Sequence, residues 1–122
     1  MLLASFKVFS SINPNAISKA TNNAQMVNLN LQFRSKNKTV KSSLLMPFYQ
    51  TAEFEKVVGD KNFLVELNPR HGKNVDEIDL EVKFYRVAGG KLFYKKDFTA
   101  KMNKDSTLNM RGLSMKVRPM LN

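Results

Sequence analysis

The chain has 122 residues, which predicts one domain, and a content of 43% hydrophobic and 25% charged residues is that of a globular protein rather than a disordered one. Twenty Lys and Arg residues against ten Asp and Glu residues give a formal net charge of +10. Cysteine is absent, so disulfide frameworks, cysteine-ligated metal centres and cysteine nucleophiles are excluded.

No stretch of the sequence approaches the roughly 18 apolar residues that are needed to cross a bilayer. The apolar opening, residues 1–4, is too short for the core of a signal peptide, and no basic residue precedes it. We therefore expect a protein of the cytoplasm, or of the host cytoplasm if it is viral, that is neither secreted nor bound to a membrane.

Charge is distributed unevenly along the chain. Residues 1–50 contain basic residues and no Asp or Glu, residues 51–81 are predominantly acidic, and residues 82–122 are again strongly basic. This segregation predicts one face that meets a polyanion, and a pI near 10.0 with clustered Lys and Arg is typical of nucleic-acid binders. The alternative is a small basic protein without such a partner.

The first predicted elements are strands. Residues 6–9 predict a short strand, and residues 13–20 fit one helical turn with a proline near its start. Residues 26–34 place apolar side chains at every second position, which predicts a strand with one face on a core. A polar turn at residues 35–38 and a return strand at residues 39–46 complete a hairpin.

A single short helix is predicted for residues 51–59. Thr51 is a suitable N-cap, Glu53 and Glu55 would lie in the first turn, and Gly59 stands where a helix commonly ends in glycine.

The remaining segments predict strands at residues 62–68, 75–87, 91–102 and 107–118. A Gly-Gly pair separates the second and third of these, which predicts a hairpin. In the last strand the apolar residues change parity at Gly112, which predicts a β-bulge.

The register of the glycine-closed hairpin has two alternatives. A three-residue loop pairs Phe84 with Tyr94, whereas a loop one residue later pairs Lys83 with Asp97, which charge favours. Either loop leaves Lys96 on the apolar parity, so we expect a second irregularity near that residue.

These elements predict an all-β fold of one basic domain, residues 1–122, with about seven antiparallel strands and one short helix. A helix between the third and fourth strands of a small β chain fits an OB-like barrel, here extended by an extra hairpin. A β-sandwich is the alternative fold.

The sequence offers little chemistry for catalysis, and we expect neither an enzyme nor a cofactor. His71 is the one histidine, and the surrounding turn contains no recognisable nucleophile motif. The acids Glu77, Asp79 and Glu81 share one strand parity, but a solvated strand face explains them better than a metal site does.

Aromatic residues beside basic residues are the stronger signal. In either hairpin register, Tyr85 and Phe93 are expected close together on the outward face, either exposed for base stacking or covered by a second sheet or subunit. A basic hairpin tip at residues 34–41 and the last strand extend the predicted surface. The predicted nucleic-acid-binding residues are Arg34, Lys36, Lys38, Lys41, Lys83, Tyr85, Phe93, Lys95, Lys96, Arg111, Lys116 and Arg118.

The predicted function is sequence-tolerant binding of single-stranded nucleic acid, DNA rather than RNA, in an accessory role in replication or recombination of the kind that phages need. The alternative is a viral structural protein, a capsid or minor virion component with a β-sandwich and a basic surface. We also expect a homodimer or higher homo-oligomer, because exposed sheet edges in a small chain invite pairing.

Overall fold

The computed structural model describes residues 5–7 and 26–121, so the predicted helical turn at residues 13–20 lies outside the described part. The described residues form nine strands: β1 (Ser5–Lys7), β2 (Met26–Ser35), β3 (Lys38–Pro47), β4 (Thr51–Val58), β5 (Lys61–His71), β6 (Glu77–Arg86), β7 (Leu92–Lys101), β8 (Ser106–Met110) and β9 (Leu113–Leu121). The predicted all-β class is confirmed.

The strands form two antiparallel sheets. A five-stranded sheet has the order β1-β4-β5-β6-β7, and a four-stranded sheet has the order β3-β2-β9-β8. The middle of the chain, β4 to β7, runs back and forth through consecutive hairpins, whereas the two ends of the chain meet where β2 pairs with β9. The four-stranded sheet is therefore built from the two basic ends of the chain, whereas the five-stranded sheet contains the acidic middle together with β1 and the basic strand β7.

The two sheets pack face to face around one apolar core. Phe33 of β2 contacts Phe54 of β4 and Phe84 of β6 across the sheets, with ring centroids 6.4 and 6.3 Å apart. The sandwich is the architecture found, and the predicted OB-like barrel is wrong. An OB barrel places a helix after its third strand, but here that segment continues the meander as a strand.

The predicted helix at residues 51–59 is strand β4. Ala52, Phe54 and Val58 are buried, and Phe54 lies opposite Val65 of β5. Gly59, with φ of 63°, belongs to the two-residue turn between β4 and β5 instead of closing a helix. Pairing with β5 and burial in the core outweigh weak local helix signals.

None of the described residues belongs to a helix with the length and apolar character that a membrane span requires.

The last predicted strand, residues 107–118, is two strands joined by a tight hairpin. Met110 of β8 pairs with Leu113 of β9, and the turn between them is Arg111-Gly112, with φ of 75° at Gly112. The parity change at Gly112 therefore marks a reversal of the chain, and the predicted bulge there is wrong. This hairpin and β4 bring the strands of the described residues to nine.

The β6–β7 hairpin adopts the first of the two predicted registers, with Phe84 opposite Tyr94. Tyr85 then lies opposite Leu92, which leaves Phe93 as the extra residue of a β-bulge. The bulge turns Phe93 to the core side, where its ring lies 5.3 Å from that of Phe63. The prediction that Tyr85 and Phe93 share the outward face is therefore wrong, and the irregularity lies at Phe93 rather than at Lys96.

Lys96 points inward on β7, the last strand of the five-stranded sheet. It lies opposite buried Val82 but is itself exposed, because it stands at the rim of the sandwich. An inward-pointing charge on an edge strand is a device that discourages pairing of that edge with another chain.

We expect Lys96→Val to increase concentration-dependent self-association, because the substitution removes that charge from the β7 edge. Size-exclusion chromatography with light scattering measures the effect. The control is Lys95→Val, which changes the neighbouring outward residue. Equal self-association of the two variants would show that the inward charge at this edge has no such role.

Candidate functional site

The two sheets differ sharply in charge. The strands of the four-stranded sheet contain five basic residues and no Asp or Glu: Arg34, Lys38, Lys41, Lys116 and Arg118. Strands β4 to β7 contain seven acids, all on the outward parity: Glu53, Glu55, Glu66, Glu77, Asp79, Glu81 and Asp97. The outer face of the four-stranded sheet is therefore the surface of the sandwich that suits a polyanion.

We call this surface the basic face and define it by Arg34, Lys41, Lys116 and Arg118. Lys41 of β3 and Lys116 of β9 lie on either side of Gln32 in β2, so they share one row across the sheet. Arg118 lies one row further, beside Asn30. Strands are about 4.8 Å apart, so the two lysines stand roughly 10 Å from each other at the backbone.

The basic face is polar and shallow. It holds a depression of about 620 Å³ to which β2, β3 and β9 contribute, and Lys56 of β4 reaches it from the other sheet. Asp105 lies at the border of the depression, where its Oδ1 is 3.0 Å from Nε of Arg118, with both side chains about half exposed. Such an exposed ion pair is weak, so Arg118 can exchange this partner for a phosphate.

A second basic surface lies where four hairpin turns meet, which we call the hairpin end. It comprises the turns 36–37, 59–60, 87–91 and 111–112. The Ser35 hydroxyl donates to the carbonyl of Gly112 at 3.1 Å, which joins two of these turns. The Lys61 side chain reaches the turn at Gly112. A β-carbon built on that glycine would lie 3.3 Å from the Lys61 ammonium nitrogen.

Cations dominate the hairpin end. Its basic residues are Lys36, Lys38, Lys61, Arg86, Lys91 and Arg111, and Asp60 is its single acid. No ion pair joins Lys61, Arg86 or Arg111 to a carboxylate among the residues that the structure describes. Six cations that converge with a single acid among them leave a net positive charge, which favours an anionic ligand.

A cleft of about 990 Å³ opens at the hairpin end between the two sheets. Phe93 and Tyr94 line it with half-buried rings, and the Arg86 guanidinium lies 5.3 Å from the centre of the Phe93 ring. Lys61 of the five-stranded sheet and Arg111 of the β8–β9 turn also line the cleft, and the Lys61 ammonium reaches that turn. We call this feature the hairpin-end cleft.

Three predicted site residues lie on the other side of the sandwich. Lys83, Tyr85 and Lys95 point outward from the five-stranded sheet, among its seven carboxylates. Nζ of Lys83 is 3.9 Å from a carboxylate oxygen of Glu81, and the half-buried Tyr85 lies between Leu64 and Leu92. The structure separates these three residues from the basic face.

The predicted residues thus fall into three groups. Arg34, Lys41, Lys116 and Arg118 form the basic face; Lys36, Lys38, Phe93 and Arg111 belong to the hairpin end; Lys83, Tyr85, Lys95 and Lys96 lie on the five-stranded sheet away from both. Sequence reasoning missed Lys61, Arg86 and Tyr94. Assigning residues 51–58 as a strand would have made Gly59-Asp60 a hairpin turn. Lys61 would then have been recognised as a basic residue beside that turn, like those at the other hairpins.

No family model, no curated protein and no solved structure matches the chain.

The described ranges contain no group of three or more His, Asp or Glu side chains placed to hold a metal ion. Asp79 accepts a hydrogen bond from Thr99 at 2.8 Å, as expected for a solvated strand face. The His71 ring stacks on buried Phe48 with centroids 4.1 Å apart, and its Nδ1 lies 3.0 Å from the hydroxyl of Tyr49. This aromatic contact supports the β3–β4 connection.

Proposed function

We propose that the protein binds single-stranded nucleic acid with little sequence preference, and single-stranded DNA in the first place. The observation that carries the proposal is the basic face, where four cations share a sheet whose strands contain no acid. Phosphate neutralisation by Lys and Arg supplies most of the affinity of sequence-independent binders.

The form of the basic face favours a single strand over a duplex. It is an open sheet surface with amide and hydroxyl side chains between the cations, among them Asn30, Gln32 and Ser43. Sequence-specific reading of duplex DNA commonly uses a helix in the major groove, and the described residues contain no such helix. Arg34 connects the basic face with the hairpin end, so that a strand can continue from one to the other.

The first test is a fluorescence-anisotropy titration of the full chain with a 30-mer single strand, its duplex and an RNA of the same sequence. We expect the tightest binding with the single-stranded DNA. If each of the four cations neutralises one phosphate, the slope of log K against log salt is about −2.8. Affinity should then fall roughly 50-fold between 50 and 200 mM salt.

Two outcomes of this titration would contradict the proposal. Weak binding with equal affinities for the three nucleic acids would mean that the positive charge attracts them non-specifically and that the basic face is not a binding site. Preference for the duplex would mean that the sheet surface is not the contact.

The second candidate is an assembly protein, which the opposite charges of the two outer faces favour. Seven carboxylates and four cations point outward from the strands of the five-stranded sheet, whereas all charged residues on the strands of the four-stranded sheet are cations. Contact between unlike faces of successive copies would produce a ring of subunits where the rotation closes and an open chain where it does not. Sedimentation velocity at two salt concentrations tests it: growth at low salt without nucleic acid supports assembly, and a constant sedimentation coefficient refutes it.

A further inference from the structure

We propose that the hairpin-end cleft binds one nucleotide, with its base against Phe93 and Tyr94 and its phosphate between Lys61 and Arg111. This proposal rests on the proposed function. It places base stacking at Phe93 and Tyr94 and not on the outer face of the five-stranded sheet, where Tyr85 lies.

The cleft is large enough to admit a nucleotide and lies where a bound strand can reach it. Its volume of about 990 Å³ is within the range of small-molecule sites. It opens where the β8–β9 turn of the four-stranded sheet faces the β4–β5 and β6–β7 turns of the other sheet, so both sheets contribute side chains to it. The cleft adjoins the end of β2 that carries Arg34, so a strand on the basic face reaches it without crossing an acidic surface.

The aromatic side chains of the cleft are held in place by the core. Phe93 lies 5.3 Å from Phe63 and 6.0 Å from Phe84, centroid to centroid, and Tyr94 lies 6.2 Å from Phe84. Both side chains are nevertheless only half buried, and both line the cleft. A bulge that turns an aromatic ring from the outer face into such a cleft is a typical device for aiming a side chain at a site.

The cations complete the chemistry of a nucleotide. The Arg86 guanidinium, 5.3 Å from the centre of the Phe93 ring, adds a third cation beside the two aromatic rings. Lys61 and Arg111 face the cleft from different sheets and have no carboxylate partner among the described residues. Asp60 is the one acid that lines the cleft. Rings beside unpaired cations match the combination of a base and a phosphate.

Photocrosslinking of the unmodified chain tests the proposal without any protein variant. The probe is a thymidine 30-mer that carries 5-iododeoxyuridine, and anisotropy first establishes that it binds. Irradiation should then produce adducts in the peptide that contains Phe93 and Tyr94. Binding with adducts only elsewhere, at Tyr85 or Tyr49 for example, or with no adduct, overturns the cleft assignment and leaves the proposed function standing. Absence of binding refutes the proposed function itself.

A matched pair of variants gives the size of the effect. Phe93→Leu combined with Tyr94→Leu keeps apolar bulk at the cleft but removes both rings, and we expect about tenfold weaker binding of the 30-mer. Tyr85→Leu removes a ring from the opposite face and should leave the affinity unchanged. Equal affinities of the two variants would contradict the proposal; if the double variant does not fold, the crosslinking result decides.

Free nucleotide and strand are distinguished by a titration with thymidine monophosphate, followed by amide NMR shifts. Shifts at Lys61, Arg86 and Arg111 that inorganic phosphate does not reproduce show that the cleft accepts a free nucleotide. No shift, together with the expected adduct of the 30-mer, shows that it accepts a nucleotide only within a strand. Shifts confined to residues outside the cleft overturn the proposal.

Discussion

Replacing Lys41 and Lys116 together by alanine should weaken binding of a single-stranded 30-mer roughly 25-fold at 0.1 M salt. Each lysine stands in the same row of the basic face, on the strands that flank β2. Each lysine–phosphate contact contributes about 0.7 to the magnitude of the slope of log K against log salt, so the double variant should reduce that magnitude by about 1.4. With both proteins compared at 0.1 M salt and 1 M as the reference, a slope difference of about 1.4 corresponds to roughly 25-fold in affinity.

The control for this prediction is Lys83→Ala combined with Lys95→Ala. It removes the same charge from the outer face of the five-stranded sheet, where the two lysines lie opposite each other. We expect its salt slope to match that of the unmodified chain. Anisotropy titrations at several salt concentrations measure both variants, and an equal loss in the two would show that binding follows total charge and not the basic face.

Phe33→Ala is expected to lower the free energy of unfolding by about 3–5 kcal/mol. Phe33 is completely buried, and its ring contacts Phe54 and Phe84 of the opposite sheet edge to face. Its truncation leaves a cavity between the two sheets and removes contacts that join them. Because a domain of this size has about 5–15 kcal/mol of stability in total, the melting temperature should fall by well over 10 °C.

Urea unfolding monitored by circular dichroism checks this value, and a double-mutant cycle checks its cause. With Phe54→Ala as the second variant, the two losses should fall short of additivity by about 0.5–1.5 kcal/mol, the energy typical of an edge-to-face pair. Strict additivity would mean that the two rings do not stabilise each other across the sheets. A loss below about 1 kcal/mol for Phe33→Ala would contradict its central place in the core.

The two surfaces have separable roles under the proposed function. The basic face supplies charge along a track, so its variants should change the salt slope. The hairpin-end cleft supplies stacking, which depends little on salt, so the Phe93 and Tyr94 variants should change affinity with the slope nearly constant. Slope and affinity, measured on the same titrations, therefore distinguish the two contributions.

Much of the fold could be predicted from the sequence. Alternation of apolar and polar residues specified β2, β3, β5 and β6, because a strand with one face on a core shows a period of two whatever its partners are. The unequal distribution of charge along the chain also predicted one basic surface. That surface exists because strands from the two basic ends of the chain supply the four-stranded sheet, whereas all seven strand acids of β4 to β7 lie in the other sheet.

Other features were decided by the tertiary structure alone. Residues 51–58 carry the signals of a short helix, but partners on both sides and burial of Phe54 make them a strand. The parity of Phe93 predicts an outward ring, but the bulge opposite Phe84 and Tyr85 turns it inward. A bulge depends on how two strands fit their neighbours and the core, which one strand's alternation does not record.

The position of the candidate site depends on tertiary packing, whereas the fold class and the distribution of charge depend on the sequence alone. The sequence by itself determined that this protein is all-β and basic at both ends, because composition and period are properties of each segment alone. Only the tertiary structure brought Lys61, Arg86 and Arg111 together, from three turns far apart in the chain. Their approach follows from strand pairing and the packing of the two sheets, which are interactions between distant segments and leave no local pattern in the sequence.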